Sequence, residues 1–492
     1  MDDIETIRRK RTIKVLITDI FMACSVAAIV FVLVAVVAGW RINSDFTVEQ
    51  NGLVSIKTKP SGATVFIDGE DQFQSTNMSK MLPGGEHKIE LEKEGYERWE
   101  KIVEVTPGWL LRLEYPRLIK QNREKNTIRT FEELKFFYVS PSRTTAILGV
   151  DNSTEWFVVS DFNANPKFRK INITGIFSDT SNGTFNHEIK SLEWSRDTNR
   201  ILMKADDEWA IIDLKDIKNS VNLSNDYPRY TVNSNATLAS DKKESQKILD
   251  AKFENEAGDK IVANVSNSLV RIDIIAKTAS ATITEKIEKF ALLDASVVYI
   301  TKFEEGKNYI RFLNLGEKLP TTVAVNSDKE AVISFSLTRF NNTCYLLYTV
   351  NNHLSVYSAH DFPSGGGNKL NMKQIVDVET GIIPSEALTS NNREFMVLRE
   401  GSRVVVFDSE LETWHEYDYG DENIRFLDNY MLYRVDEASG KLLVWDFDST
   451  NVRTLVVDNG INDFDALITQ NDRFFYYIGK TNSGVALIQE KL

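Results

Sequence analysis

The first 41 residues are divided sharply between a basic tail and an apolar run. Residues 20–40 contain no charged side chain. As a helix rising 1.5 Å per residue, this run is long enough to cross the roughly 30 Å of hydrocarbon in a bilayer. The basic residues before it are Arg8, Arg9, Lys10, Arg11 and Lys14. The pattern therefore predicts a transmembrane signal-anchor over residues 15–41, in contact with the membrane through residues 20–40.

The orientation follows from the position of the positive charges. Basic residues beside a membrane span favour the cytoplasmic side. We therefore expect a single-pass protein of the cell membrane, with a cytoplasmic tail (residues 1–14) and an extracytoplasmic remainder (residues 41–492). A cleavable signal peptide is the alternative, because Val36, Val37 and Ala38 satisfy the small-residue rule for cleavage. Its apolar core is usually only about 7–15 residues long, which favours the uncleaved anchor.

Short alternating segments separated by turn residues fill residues 51–116. Apolar and polar positions alternate before and after the break at residues 60–63, and again up to the dipeptide at 68–69, which is typical of a tight hairpin. Glycine is favoured at such turns because it adopts positive φ freely. The pattern predicts a small β-meander. The residues assigned to its turns are Pro60, Gly62, Ala63, Asp68, Gly69, Gly84, Gly95 and Tyr96.

Four of these segments together resemble the PEGA domain, a family named for its Pro-Glu-Gly-Ala turn. They are Pro60-Ser61-Gly62-Ala63, Phe66-Ile67-Asp68-Gly69, Leu82-Pro83-Gly84-Gly85-Glu86-His87 and Lys93-Glu94-Gly95-Tyr96. The chain departs from the family at Ser61, which replaces the glutamate of the name. The resemblance implies a small extracytoplasmic β-domain without catalytic residues, serving as a spacer or adhesion module, and its glycines are then structural.

Residues 136–492 repeat one pattern. Strands that end in an acidic or amide side chain recur, with intervals that fit units of about 40 residues carrying insertions. Several units also contain a polar turn before an apolar strand, at residues 140–143, 195–200, 389–393 and 469–473. Such units predict four-stranded blades, and Leu192 to Asp197 resembles the corresponding turn of TolB-type and WD40-like propellers. We expect a mainly β chain ending in a β-propeller, with eight blades preferred and seven possible.

The last unit is one strand short. Residues 126–131, inside a predicted linker at 117–135, supply a free strand that we expect to pair with residues 484–489 and close the ring. Two insertions, at residues 222–246 and 361–368, are polar or glycine-rich and are predicted to be loops.

Charge and motifs narrow the function. The chain carries 58 Lys and Arg against 71 Asp and Glu, a net charge of −13 that argues against binding nucleic acid. Its two cysteines supply no disulfide framework, and its five histidines lack the spacing of zinc sites. Because recognisable hydrolase and nucleotide-binding motifs are also missing from the sequence, we assign no catalytic, cofactor-binding or metal-binding residue.

Two functions stay open from the sequence. The first is a membrane-anchored scaffold of the cell envelope, in which the PEGA-like spacer presents the propeller to a protein or glycan partner. The alternative is a propeller-based hydrolase or lyase acting on envelope polysaccharide. Two carboxylates that converge in the central funnel with raised pKa values favour the enzyme, whereas a mixed polar lining favours binding.

Overall fold

The computed structural model describes residues 2–37, 39–42, 48–233, 246–367, 370–420, 424–436, 439–456 and 464–492. The chain is mainly β and divides into two compact units, residues 1–122 and residues 123–492. The predicted linker at residues 117–135 is therefore divided between the two units.

The first unit begins with a long helix, α1 (Asp2–Val37). Its segment Leu16–Ala35 is long and apolar enough to cross a membrane, and none of that segment is buried. By length and composition the helix fits a membrane anchor or a signal sequence.

Two four-stranded sheets follow α1 in the first unit. Their strands are β1 (Trp40–Ile42), β2 (Val48–Ile56), β3 (Thr64–Ile67), β4 (Glu70–Ser75), β5 (Met78–Pro83), β6 (Gly85–Glu92), β7 (Trp99–Val105) and β8 (Leu110–Leu113). In the first sheet β2 pairs with β1, β5 and β8, and the second has the order β4-β3-β6-β7. Alternate residues such as Val65 of β3, Ile89 of β6 and Trp99 of β7 are fully buried in one core. The period-2 alternation of the sequence thus builds this core.

The second unit contains eight sheets among its described residues. The first is β10 (Leu134–Val139), β11 (Thr145–Val150), β12 (Glu155–Ser160) and β13 (Lys167–Asn172), and the second is β14 (Ile189–Trp194), β15 (Arg200–Ala205), β16 (Glu208–Asp213) and β17 (Val221–Asn222). The third is β18 (Thr231–Asn233), β19 (Ile248–Phe253), β20 (Lys260–Val265), β21 (Ser268–Asp273), β22 (Thr278–Ser280) and β23 (Thr284–Glu285). The fourth is β24 (Ile287–Leu293), β25 (Ser296–Thr301), β26 (Asn308–Asn314) and β27 (Thr321–Asn326).

The remaining sheets continue the series. The fifth is β28 (Ile333–Phe340), β29 (Thr343–Val350), β30 (His353–Ala359) and β31 (Lys373–Glu379), and the sixth is β32 (Glu386–Thr389), β33 (Phe395–Glu400), β34 (Arg403–Asp408) and β35 (Thr413–Asp418). The seventh is β36 (Arg425–Phe426), β37 (Met431–Asp436), β38 (Lys441–Asp446) and β39 (Arg453–Val456). The eighth is β40 (Leu467–Ile468), β41 (Phe474–Thr481), β42 (Gly484–Lys491) and, from far upstream, β9 (Lys125–Phe131).

Successive sheets pack face to face and return to the start. One apolar cluster joins the first sheet to the second, and further clusters join later neighbours along the chain. Another cluster joins the eighth sheet to the first, with Tyr476 and Leu487 packed with Phe137 and Leu148. This succession of sheets, seven of them four-stranded and the third six-stranded, is that of a β-propeller. The preference for eight blades over seven stays a prediction.

The closing strand β9 lies beside β42, as the count of strands indicates. The two run antiparallel, with Thr127 opposite Ile488 and Arg129 opposite Leu487. Ile128 has no residue opposite it, because the register shifts by one at this point. The predicted pairing of residues 126–131 with residues 484–489 is thus present, with a local bulge.

One predicted loop is partly wrong. In the insertion at residues 222–246, a short helix α2 (Leu223–Asp226) is followed by a 3-10 turn (Tyr227–Arg229) and by β18, which pairs parallel with β22. The buried side chains of Leu223 and Tyr227 hold this segment against neighbouring strands. Residues 234–245 lie outside the described residues. Residues 361–367 form no helix or strand, and residue 368 lies outside the described residues.

Candidate functional site

The recurrent aspartates at strand ends are turn residues in the second unit. One carboxylate oxygen of Asp213 accepts hydrogen bonds from the backbone N–H groups of residues 215 and 216, both at 3.0 Å. Asp273 and Asp408 accept the equivalent pairs at 2.8 to 3.1 Å. Such bonds satisfy backbone groups where the chain leaves a strand. The repeat therefore marks turns rather than ligand sites.

The polar turns share a second geometry. The side-chain oxygen of Ser195 accepts a hydrogen bond from the backbone N–H five residues later at 2.9 Å, and Ser390 does the same at 2.9 Å. Ser140 and Thr469 make the same bond at 3.2 and 3.1 Å. The fourth residue of each turn has positive φ, for example +65° at Arg393. These turns follow the first strand of a sheet.

Two adjoining cavities, of about 470 and 580 Å³, lie where these first strands meet. Both are lined by Pro141, Trp194, Thr389 and Asn391. All eight sheets, or the turns beside them, contribute lining residues to one cavity or the other. We call the pair the central cavity. It has the position of the central funnel of a propeller, where the blades converge.

Glu193, on β14, lines the larger cavity. Its Oε1 accepts a hydrogen bond of 3.2 Å from the backbone N–H of Phe253 on β19, so it links the second sheet to the third. Burial raises the pKa of Glu193 to about 7, and the positive charge of Lys252 opposes this effect. Near neutral pH both protonation states of this carboxyl group are therefore populated.

Asp465 lines the smaller cavity and connects three sheets. Its Oδ1 receives a hydrogen bond of 2.9 Å from the guanidinium of Arg425, and its Oδ2 receives one of 2.8 Å from the backbone N–H of Val139. Burial raises the pKa of Asp465, whereas the charge of Arg425 lowers it. Each of these two carboxylates therefore contacts a neighbouring sheet and lines a different cavity.

The positive charge at the central cavity is carried by arginines on the polar turns that follow the first strands. Arg196, after the second sheet's first strand, makes an ion pair with Asp294 of the fourth sheet. Arg393 lies near this pair. Burial is the main cause that lowers the pKa of Arg393, and repulsion from the charge of Arg196 lowers it further. Among the described residues, the guanidinium of Arg393 makes no hydrogen bond or ion pair. It lines the larger cavity.

The turn residues predicted from the sequence all belong to the first unit. Gly62, Gly69 and Gly95 lie between strands with φ of +81°, +81° and +79°. Asp68, with φ of +53°, accepts a hydrogen bond of 2.8 Å from the backbone N–H of Lys88. Its other oxygen lies 2.7 Å from Nδ1 of His87, and this contact lowers the pKa of Asp68.

The other four predicted turn residues differ in environment. Pro60 is exposed, Ala63 is fully buried and Tyr96 is half-buried against the core. Gly84 has no positive φ, but a Cβ there would lie 2.5 Å from Pro107, so close packing requires glycine. Positive φ belongs instead to the next residue, Gly85, at +123°.

Sequence reasoning misses the charged residues of the central cavity. The segment at residues 389–393 is identifiable as a turn from its residue types, and within that pattern Arg393 is only one member of the turn. The only sequence signal for Arg393 as a cavity residue is its position as the one charged residue of the segment Ser390-Asn391-Asn392-Arg393. That signal gains meaning only when the turns of several sheets are known to converge.

Comparison with known proteins supports the division into two units. A family model described as the PEGA domain matches residues 51–117. No curated protein matches the chain.

Solved propeller structures are similar to most of the chain at low identity. The C-terminal WD40 domain of Sif2 is 13% identical, covers 74% of this chain and 97% of its own, and has a TM-score of 0.44. The β-propeller domain of Cps50 (Swd1) from Myceliophteria thermophila is 9% identical over 68% of this chain and 99% of its own, with a TM-score of 0.40. An oligogalacturonate lyase from Vibrio parahaemolyticus is 9% identical over 74% of this chain and 98% of its own, with a TM-score of 0.30. Residues 51–117 are thus identified as a PEGA domain, in a chain whose second unit has the sheet arrangement of a β-propeller.

Proposed function

We propose that the protein is a membrane-anchored scaffold of the cell envelope, with residues 41–492 outside the cytoplasm. Its PEGA domain is the spacer, and its propeller binds a protein or glycan partner through the central cavity. The observation that carries this proposal is the Arg393 guanidinium, a charged group without a hydrogen-bonding partner among the described residues in a cavity with a mixed polar lining. Such a group recognises an anionic group of the partner.

The carboxylates favour binding over catalysis. A hydrolase or lyase of envelope polysaccharide needs an acid and a base within reach of one bond. Glu193 and Asp465 line different parts of the central cavity, and each already accepts a backbone hydrogen bond from a neighbouring sheet. The pKa values of both carboxyl groups are raised by burial, and the same burial places them where they link neighbouring sheets.

One observation supports the enzymatic alternative. A pKa of about 7 suits Glu193 for general acid catalysis at neutral pH. If the wild-type chain releases reducing ends from envelope polysaccharide and Glu193→Gln does not, the alternative is supported instead.

The binding proposal is tested with a charge reversal at Arg393. The full chain, solubilised from membranes, is cross-linked to its partners in envelope extracts, and the captured partner is quantified by mass spectrometry. A charge-assisted hydrogen bond contributes about 1.5–3 kcal/mol, so we expect Arg393→Glu to reduce specific capture roughly ten- to a hundredfold.

Arg229→Glu is the matched control. Arg229 is 80% exposed, pairs with Asp226 and lies outside the central cavity. Capture by this variant is expected to equal that of the wild type. Equal capture by both charge-reversal variants would show that Arg393 does not contact the partner, and the proposal would be wrong.

A further inference from the structure

Several large apolar side chains are exposed at one edge of the first unit. Trp109 is 73% exposed, Trp40 44%, Leu110 42% and Leu53 38%. We call these four residues the apolar edge. Most large apolar side chains of this domain are buried in its core, so a cluster of exposed ones marks a surface that meets another apolar phase.

Backbone hydrogen bonds place the apolar edge beside the end of α1. The helix ends at Val37, and the carbonyl of Gly39 accepts a bond of 2.9 Å from the N–H of Asn51. The carbonyl of Asn51 in turn accepts a bond of 3.0 Å from the N–H of Gly108, the residue before Trp109. Because hydrogen-bonded strands lie about 4.8 Å apart, Trp109 is on the order of 10 Å from the start of β1.

The edge residues on β2 and β8 share the face that points away from the core. Leu53 pairs with Leu110 across the parallel strands, while their neighbours Val54 and Leu111 pack into the core. Since side chains alternate along a strand, Leu53 and Leu110 project together on the outer face. Arg112, which is exposed, is in register with Ser55 and projects on the same outer face.

We propose that the apolar edge lies in the interfacial layer of the membrane that α1 spans, so that the PEGA domain rests on the lipid surface. This inference depends on the membrane anchor of the proposed function. Tryptophan rings concentrate at the boundary between headgroups and acyl chains, because one end of the ring is apolar and the other donates a hydrogen bond. Arg112 on the same face suits the phosphates of lipid headgroups. Only two residues separate the end of α1 from the start of β1, so the edge cannot lie far from the bilayer.

Fluorescence quenching by lipids brominated near the headgroup tests this contact. The full chain is reconstituted in vesicles of phosphatidylcholine and phosphatidylglycerol, with and without the brominated lipid. Three variants are compared with the wild type: Trp109→Phe, Trp40→Phe and Trp414→Phe. Trp40 is the positive control, because only two residues separate it from α1, and Trp414 on β35 is the negative control, because it is half-buried against strands of the fifth and sixth sheets.

We expect Trp109→Phe to lower the quenched part of the emission about as much as Trp40→Phe does, with no change for Trp414→Phe. If Trp40→Phe lowers it and Trp109→Phe does not, the edge is not in the lipid and the inference is overturned, while the anchor stands. If neither variant differs from the wild type, α1 is not in the bilayer, and the anchor and the inference both fail. Trp109 is largely exposed, so its replacement by phenylalanine leaves the fold intact, which circular dichroism verifies.

Discussion

The ion pair between Arg123 and Glu490 offers the sharpest test of ring closure. Nε of Arg123 lies 2.7 Å from Oε2 of Glu490, and both side chains are only 9% exposed. Arg123 also donates a hydrogen bond to the carbonyl of Leu455 in the seventh sheet. The pair thus joins the residue that opens the second unit to a residue near the end of the chain.

Removing the arginine leaves a buried carboxylate whose remaining described contact is the Tyr477 hydroxyl, at 3.3 Å. Breaking a buried ion pair from one side costs about 3–5 kcal/mol. The second unit has about 370 residues, so at about 2.1 cal/mol/K per residue its unfolding entropy is roughly 0.8 kcal/mol/K. We therefore expect Arg123→Ala to lower the melting temperature of the propeller by about 4–6 °C.

Thermal unfolding of the full chain, followed by circular dichroism, measures this shift. Lys167→Ala is the matched control: its ion pair with Asp161 joins side chains that are 77% and 50% exposed, and such pairs contribute about 0–1 kcal/mol. The double variant Arg123→Met with Glu490→Gln is expected to recover most of the loss, since no unpaired charge remains. A shift for Arg123→Ala no larger than that for Lys167→Ala would refute the reasoning.

Two further predictions concern single residues. Gly69 has φ of +81°, and no atom lies within 4 Å of the position that a Cβ would occupy. Gly69→Val is therefore expected to destabilise residues 51–117 through backbone strain alone, by about 1–2 kcal/mol. Gly69→Asn is expected to destabilise them much less, because asparagine adopts positive φ more readily. Hydrogen exchange of peptides from the PEGA domain measures both, and equal effects would contradict the role of φ. The pKa of Glu193 is raised to about 7, so the folded state binds more protons than the unfolded state between about pH 4.5 and 7, and stability falls as pH rises through that window. At about 1.4 kcal/mol per pH unit, the full loss of stability across this window is about 3 kcal/mol. Urea titrations at several pH values should show this loss in the wild type but not in Glu193→Gln. Plots of unfolding free energy against pH that run parallel for the two proteins would contradict the prediction.

Local chemistry determines which features the sequence reveals. The polar turns at residues 140–143, 195–200, 389–393 and 469–473 can be recognised from the sequence, because each combines turn-favouring residues with a following apolar strand. In the structure each of them follows the first strand of a sheet. The closing strand is predictable because the last unit lacks one. β18 is not predictable, since its three residues lie inside a polar insertion and give no sign of the strand they pair with. The central cavity escapes prediction for a similar reason: Glu193 and Arg393 line the same cavity only because separate sheets converge.

The pairing of β9 with β42 also affects how the protein folds as it is synthesised. Lys125 is opposite Glu490, so the eighth sheet is incomplete until β42 has left the ribosome. During that time β9 and the growing series of sheets each present an unpaired edge. A product that ends prematurely anywhere before β42 keeps both edges exposed, and it is therefore marked for aggregation or proteolysis. Closure of the ring thus requires synthesis from β9 through β42.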